Sequence, residues 1–446
     1  MPASSAPSPP QSPVVEKDAE NAVLSEQPSL PVSPPPQTKA QRRTERVQVS
    51  TIAWILFLLG WNDGSTGPLL LRIQESYGVG YTVLSLIFVF GCTGSFVGSV
   101  SNVVLDSKYG FGKLMLLGSF CQILGFALQA PHLPFPVFVL ARTISGFGSA
   151  MQDSQSNGYV ASLASNHAGT PMAIIHAAYG AGALVSPLVA TQFAREEFIA
   201  HNRWAYHFIT TAGLTTLNTA VLAWVFKGKR QEECLAWVGQ VPPPKMEADP
   251  GTKKRSNFRQ IMAKPAVHAL AAFLLVYVGI EVTIGGWIVS FMITVRGAGP
   301  SAGYIASGFF GGLTLGRIVL LPINRLLGEY RAVFLYTILA LGLQLITWLV
   351  PSIPVGATAV SLVGLFLGPL YPIAVNHAGR LFPSGDGLLT GIIGWMAGVS
   401  TAGAAGVPFI TGAIAGAGGK GVGVVQPVIV AMLGVMLGVW VLVPRR

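Results

Sequence analysis

FLLGWNDGSTGPLLLRIQ, residues Phe57–Gln74, sets an amide and a carboxylate, Asn62 and Asp63, inside a stretch whose flanks are apolar. Counted from Thr51 at 1.5 Å per helical residue, Asp63 lies about 18 Å along its span, close to the middle of a bilayer's hydrocarbon core. A charge at that depth costs at least about 2.5–3.5 kcal/mol on insertion scales, so such a residue faces a bundle interior or a water-filled cavity. Gly64, Gly67 and Pro68 follow at once and are expected to loosen the helix. The backbone groups they free are satisfied only by protein or cavity water. A carboxylate whose surroundings alternate between dry and wet can load and unload a proton. The simpler alternative is a structural acid that holds a helix break.

Composition supports the membrane reading of this stretch. Of 446 residues, 51% are hydrophobic and only 10% charged, with a mean hydropathy of +0.57. A soluble domain carries about 25% charged residues. The 53 glycines suit membrane helices, whose backbones pack closely through small side chains. The formal charge of +10 does not indicate a nucleic-acid partner, because the basic residues lie mainly between apolar spans, where they set orientation. Three cysteines, Cys92, Cys121 and Cys234, make no disulfide framework or metal-ligand spacing. The Pro/Ser-rich start has no apolar core of the secretory kind, so the first span is expected to act as its own insertion signal.

Apolar runs recur after the tail. Six spans are expected near 50–72, 80–104, 113–130, 135–161, 170–192 and 205–226, and six more near 266–290, 301–322, 332–350, 354–378, 388–414 and 422–443. The expected organisation is a disordered cytoplasmic tail (1–47), a six-helix bundle (48–226), a basic cytoplasmic linker (227–265) and a second six-helix bundle (266–446). Most Lys and Arg fall on the side of the tail, the linker, the loops at 105–112, 323–331 and 379–387, and the end at Arg445 and Arg446. The positive-inside rule places that side, with both termini, in the cytoplasm. The fold class is thus an all-α membrane protein of twelve transmembrane helices in two pseudo-symmetric six-helix bundles. Proteins of this plan bind solutes at the midplane where the halves meet. Spans 1 and 7 then correspond, Asn62 and Asp63 with Glu281, and so do spans 4 and 10, Asn157 with Asn376.

The fourth span contains ARTISGFGSAMQDSQSNGY, Ala141–Tyr159. Arg142, Gly146, Ser149, Ala150, Asp153 and Asn157 recur at spacings of three and four and share one helical face. Asp153 is suited to bind solute hydroxyls, accept a proton or pair with a cation. Gln152, Gln155 and Asn157 supply neutral donors and acceptors suited to sugars, or else an interhelical hydrogen-bond network. In YVGIEVTIGGWIVSFM, Tyr277–Met292, Tyr277 and Glu281 are neighbours on one face, and Trp287 either stacks on a sugar or packs. Arg317 follows the ladder Gly308, Gly312, Gly316 and is read as structural, with a gate lock as the alternative. His176, Tyr179, Trp395 and His377 are weaker candidates. No phosphate-cradling loop, HExxH or nucleophile elbow occurs, so the chain is not read as an enzyme, and no cofactor or metal is implied.

Arg142-Thr-Ile-Ser-Gly146-Phe-Gly148-Ser-Ala150 resembles the fourth-span RxxxGxGxA motif of the major facilitator superfamily at every fixed position. Asn102-Val-Val-Leu-Asp106-Ser-Lys108-Tyr-Gly110 resembles its GxxxDRxG loop, with Asn for the first Gly and Ser107 where a basic residue is usual. Within the superfamily, Asn62-Asp63, Asp153-xxx-Asn157, YVGIEVTIGGW and GGLTLGR are similar to the fucose-permease-like sugar:proton symporters and their fungal relatives. The resemblance implies alternating access and proton-coupled uptake of a small polar solute. Asp63 would carry the proton, Asp153 would link solute to protonation, and Asp106 and Lys108 would serve a gate. Partners are then a solute, protons and the bilayer, and the expected state is a monomer. A proton-driven exporter and a non-transporting sensor are the alternatives.

Overall fold

Long apolar runs bounded by Gly, Pro and charged residues leave the backbone one way to satisfy itself in lipid, which is the helix. A computed structural model describes residues 37–163, 169–195, 200–240, 257–382, 388–419 and 421–445. The first 36 residues, the 242–244 Pro run and the Lys253–Lys254–Arg255 cluster lie outside the described residues. The spans are α1 (Lys39–Tyr77), α2 (Leu86–Tyr109, preceded by the turn Tyr81–Leu84), α3 (Phe111–Gln129), α4 (Phe135–Ala161), α5 (Gly169–Phe193) and α6 (Tyr206–Phe226). The second set is α7 (Pro265–Thr294), α8 (Tyr304–Val319), α9 (Glu329–Leu349), α10 (Ile353–Leu367, continued as Leu370–Leu381), α11 (Leu389–Ala417) and α12 (Val425–Val441).

Nine of these are long and apolar enough to cross a membrane, and the bent pair Pro300–Val319 with Leu321–Leu327 makes a tenth. The two that fall short, α1 and α4, are those whose polar residues were singled out above. Their sequences dilute hydropathy because one face of each is not meant for lipid.

Two departures from expectation concern α1. It begins at Lys39, so residues 39–47 are helix rather than tail, capped by Thr38 and Gln41 in a reciprocal capping box. It also runs unbroken through Gly64, Gly67 and Pro68. The glycines serve approach instead of flexibility: a Cβ on Gly64 would meet the Ala183 carbonyl of α5, and one on Gly67 the Gly285 carbonyl of α7.

The halves repeat one plan. In the first, α1 packs on α5 and α6, α4 on α2 and α3, and α3 on α6; in the second, α7 packs on α11 and α12, α10 on α8 and α9, and α9 on α12. A Cβ on Gly94 or Gly98 would collide with the carbonyls of Thr143 or Phe147, and one on Gly312 or Gly316 with those of Ser361 or Leu365. One constant chain offset relates all four pairs. The same offset takes Gly110 (φ 79°) to Gly328 (φ 77°), each ending the short link before the next span in a conformation that favours glycine.

Between the bundles, α5 meets α8, α2 meets α11, and α1 meets α7. These contacts lie at mid-span and on the side away from the termini: Gly180 with Thr314, Thr191 with Gly303, Ser85 with Gly412, and Thr82 with Gly416. The hydrophobic clusters divide accordingly. Leu69, Ile73, Ile87 and Phe88 of the first bundle join the core of the second, whereas Ile52, Phe111, Tyr159 and Phe226 form a separate cluster on the termini side. That cluster takes in Cys234 and Leu235 of a linker helix, Gln231–Trp237. Another linker helix, Asn257–Met262, packs on α7 and α11. Each bundle thus keeps its own piece of linker, and a cleft opens between the bundles toward the termini.

Candidate functional site

The cleft runs up to Asp63. Although mid-span, Asp63 is exposed, and its Oδ2 accepts a 2.6 Å hydrogen bond from the Tyr179 hydroxyl of α5. The guanidinium of Arg142 on α4 donates through Nη1 to Asn62 Oδ1 at 3.1 Å and through Nη2 to Thr66 Oγ1 at 3.3 Å. Its Nε is buried without a partner among the described residues. Arg142 therefore bridges the one turn of α1 that contains Asp63, near enough for their charges to interact without a contact ion pair among the described residues.

Behind this face, a dry network fixes α1. Ser65 Oγ lies 2.6 Å from Ser186 Oγ and 2.8 Å from His207 Nε2, and Trp61 Nε1 donates to Thr211 Oγ1 at 3.1 Å. The helix carrying Asp63 is thus held on three sides and open on the fourth.

Asp153 is exposed to the same cleft, and its Oδ1 accepts from Asn157 Nδ2 at 2.9 Å. Asn157 also donates to the Asp153 carbonyl, so its amide is engaged within its own helix. Across the cleft, half-buried Glu281 of α7 lies within electrostatic reach of Asp63 and of Arg317 of α8. Tyr277, fully buried one turn earlier, has its ring 6.2 Å from that of Tyr371 on α10. Tyr371 in turn feels the charges of Asp153 and Glu281. Three acids and two arginines thus converge from both bundles.

Packing gives the pairing of halves a physical basis. A Cβ on Gly182 would strike the Phe57 carbonyl, and one on Gly403 the Leu275 carbonyl. The same number of residues further on, α1 presents Asp63 and α7 presents Glu281. The offset that relates them carries Asp153 to Tyr371 and Asn157 to Val375. At that count Asn157 falls one residue from Asn376, its expected counterpart, which lies beyond the break between the two parts of α10.

Several other candidates sit elsewhere. Gln152 is buried against α3, donating to the Met115 carbonyl at 2.9 Å and accepting from Gln122 at 2.8 Å, so its amide is consumed by packing. Trp287 is fully buried between the bundles, donates to the Pro408 carbonyl at 3.2 Å and packs beside Tyr81 and Phe88. It faces no open space a sugar could enter. Asn376 lines a different cavity, on the termini side of the second bundle, with Arg317. Arg317 also donates from Nε to the Gly368 carbonyl at 3.4 Å. Asp106 accepts from Gln155 at 3.0 Å, tying the end of α2 to α4, while Lys108 lies over the Tyr109 ring. Sequence reasoning undervalued Tyr179 and missed Thr66 and Tyr371. The constant offset from Asp153 was the available signal for Tyr371; nothing in the sequence places a tyrosine of α5 against α1.

Known proteins share this architecture. The chain is 26% identical over 391 residues to Bypass of stop codon protein 6 of Saccharomyces cerevisiae, covering 83% of this chain and 77% of that one. It is 22% identical over 417 residues to a glucose/galactose transporter of Brucella abortus, covering 90% and 96%. Among solved structures, a D-xylose-proton symporter matches with a TM-score of 0.70 at 13% identity, over 90% of this chain and 97% of that one. The fucose:proton symporter of E. coli matches with a TM-score of 0.60 at 15% identity, over 92% and 100%. The family model of the major facilitator superfamily matches residues 52–327. With its described helices packed in two pseudo-symmetric bundles around a charged central cleft, the chain belongs to the major facilitator superfamily, a family of membrane carriers rather than enzymes.

Proposed function

We propose that this carrier moves a small polar solute, a sugar, together with a proton by alternating access. The observation that carries the reading is Asp63: an accessible carboxylate at mid-span, bonded by Tyr179 and bracketed by Arg142. Asp63 makes no contact ion pair among the described residues, and Asn would accept the Tyr179 hydrogen bond at less cost than a permanent charge. A titrating charge has a use, because the carrier can return empty only in one protonation state. In this reading Asp63 carries the proton, and Asp153 with Asn157 senses solute hydroxyls. Glu281 is the acid of the second bundle, with Tyr277 and Tyr371 beside it. The basic termini side faces the cytoplasm, and the open cleft is the inward-facing state. Likeness to sugar:proton symporters and to a glucose/galactose transporter supports the choice of solute.

The test is purified protein in vesicles with internal pH recorded while sugars are added one at a time. Acidification on addition of one sugar, absent in Asp63→Asn, is expected. Alkalinisation would instead mean exchange. Saturable sugar flux without proton movement in either protein would remove the role given to Asp63.

A further inference from the structure

On the termini side of the second bundle is a cavity of about 250 Å³, lined among the described residues by the end of α8, the short helix Leu321–Leu327, the start of α9 and the second part of α10. Arg317, Arg325 and Arg380 line it against one carboxylate among the described residues, Glu329, with Asn324 and Asn376 beside them. Glu329 pairs through Oε1 with Arg380 at 3.1 Å, while its Oε2 is buried without a partner among the described residues, so one carboxylate faces three guanidinium groups. Arg325 is exposed and has neither ion pair nor side-chain hydrogen bond among the described residues. The pocket therefore keeps an uncompensated cationic character, supplied by a side chain whose planar fork suits phosphate oxygens.

Its outer wall is apolar. The helix Leu321–Leu327 turns away from α8 by 53° and leaves Leu326 85% exposed, with Ile318, Val319 and Leu321 also exposed. A row of bare aliphatic side chains next to a basic pocket, at the membrane edge of a basic face, matches a molecule with an anionic head and hydrocarbon tails. The first half repeats the apolar row, with exposed Val100 and Val103 at the offset of Ile318 and Leu321, but Ser99, Ser107 and Ser162 stand where Arg317, Arg325 and Arg380 do. At the same offset it places Asp106 opposite Asn324 and Lys108 opposite Leu326, and Asp106 is bonded inward by Gln155.

We infer that this cavity binds the phosphate of an anionic phospholipid, with Arg325 as its principal ligand and Leu321 and Leu326 under the acyl chains. The site lies beside Arg317, whose charge also reaches Glu281 in the cleft. Occupancy thus stiffens the α8–α10 corner next to the second-bundle acid.

The test is thermal unfolding of the purified full chain in dodecyl maltoside, read by tryptophan fluorescence, with added dioleoylphosphatidylglycerol. A ligand that binds only the folded state raises the midpoint. Wild type is expected to gain a few degrees over the same amount of dioleoylphosphatidylcholine. Arg325→Gln should lose at least half of that gain, Arg325→Lys should keep part of it, and Lys113→Gln, on the basic face of the first bundle, should keep all of it. Equal gains in Arg325→Gln and wild type would overturn the site, as would equal losses in Arg325→Gln and Lys113→Gln, which would mean diffuse attraction. An equal gain from inorganic phosphate would reassign the pocket to a soluble anion.

Discussion

At the scale of single residues, the polar atoms around Asp63 do separable jobs. The Tyr179 hydroxyl donates to the carboxylate and so favours the anion, and hydrogen bonds to charged groups are worth about 1.5–3 kcal/mol. Tyr179→Phe should therefore bind the proton more tightly and release it more slowly. The expected result is solute-driven proton flux lowered roughly 10-fold, since about 1.4 kcal/mol is a factor of ten, with solute affinity little changed. Asp63→Asn should stop proton flux altogether and leave solute binding measurable by tryptophan quenching. Arg142 makes two hydrogen bonds one turn apart on α1, which a single ammonium cannot reproduce. Arg142→Lys is expected to lose most transport although the charge is kept; retention of full transport would show that only charge matters there. Orientation was the part of this site hidden in the sequence. Gln152 and Asp153 are adjacent, yet a helix turns about 100° between them, so one amide is spent on α3 while its neighbour faces the cleft. The sequence shows such a stripe but not which neighbouring helix receives it, and for that reason it undervalues Tyr179 and leaves Trp287 between stacking and packing.

At the scale of elements, apolar runs made the spans legible almost to their ends, because lipid leaves no alternative to a helix. The glycines were legible as a composition but not as a device. Gly60, Gly64 and Gly182 bring the backbones of α1 and α5 together, and a Cβ on Gly182 would strike the Phe57 carbonyl. Gly182→Val should separate the helix that bears Asp63 from the helix that bears Tyr179. Lower unfolding temperature and lost proton coupling are expected together, whereas Gly213→Ala on α6, where a Cβ meets nothing, should change neither. The linker's sequence reads as a basic segment between bundles, but Gln231–Trp237 is a docked helix. Its Cys234 is fully buried in the termini-side cluster, and burial pushes the thiol up to about 12. Thiolate is the reacting form, so maleimide at pH 7.5 should label Cys234 only after denaturant is added. Rapid labelling of the folded protein at this position would mean that the linker helix does not stay docked.

At the scale of the whole molecule, the repeated packing plan of the halves implies more than a shared origin. If α5–α8 and α2–α11 are equivalent hinges, the bundles can rock about them, closing the termini side as the opposite side opens. The contacts that must then part are those now closed, and Thr82 against Gly416 is the most direct. A Cβ on Gly416 would lie 3.5 Å from the Thr82 Cβ, inside the 3.5–4.5 Å range of disulfides. The pair Thr82→Cys with Gly416→Cys, in a chain with Cys92, Cys121 and Cys234 replaced, should cross-link under mild oxidant. It should hold the cleft open to the termini side and arrest transport until reductant is added. Oxidation should also keep a cysteine placed at Asp153 reactive to a reagent supplied from the termini side, because the cleft can no longer shut. Full transport by the oxidised, cross-linked protein would exclude rocking about these hinges and leave the two-bundle cleft without a mechanism of alternation.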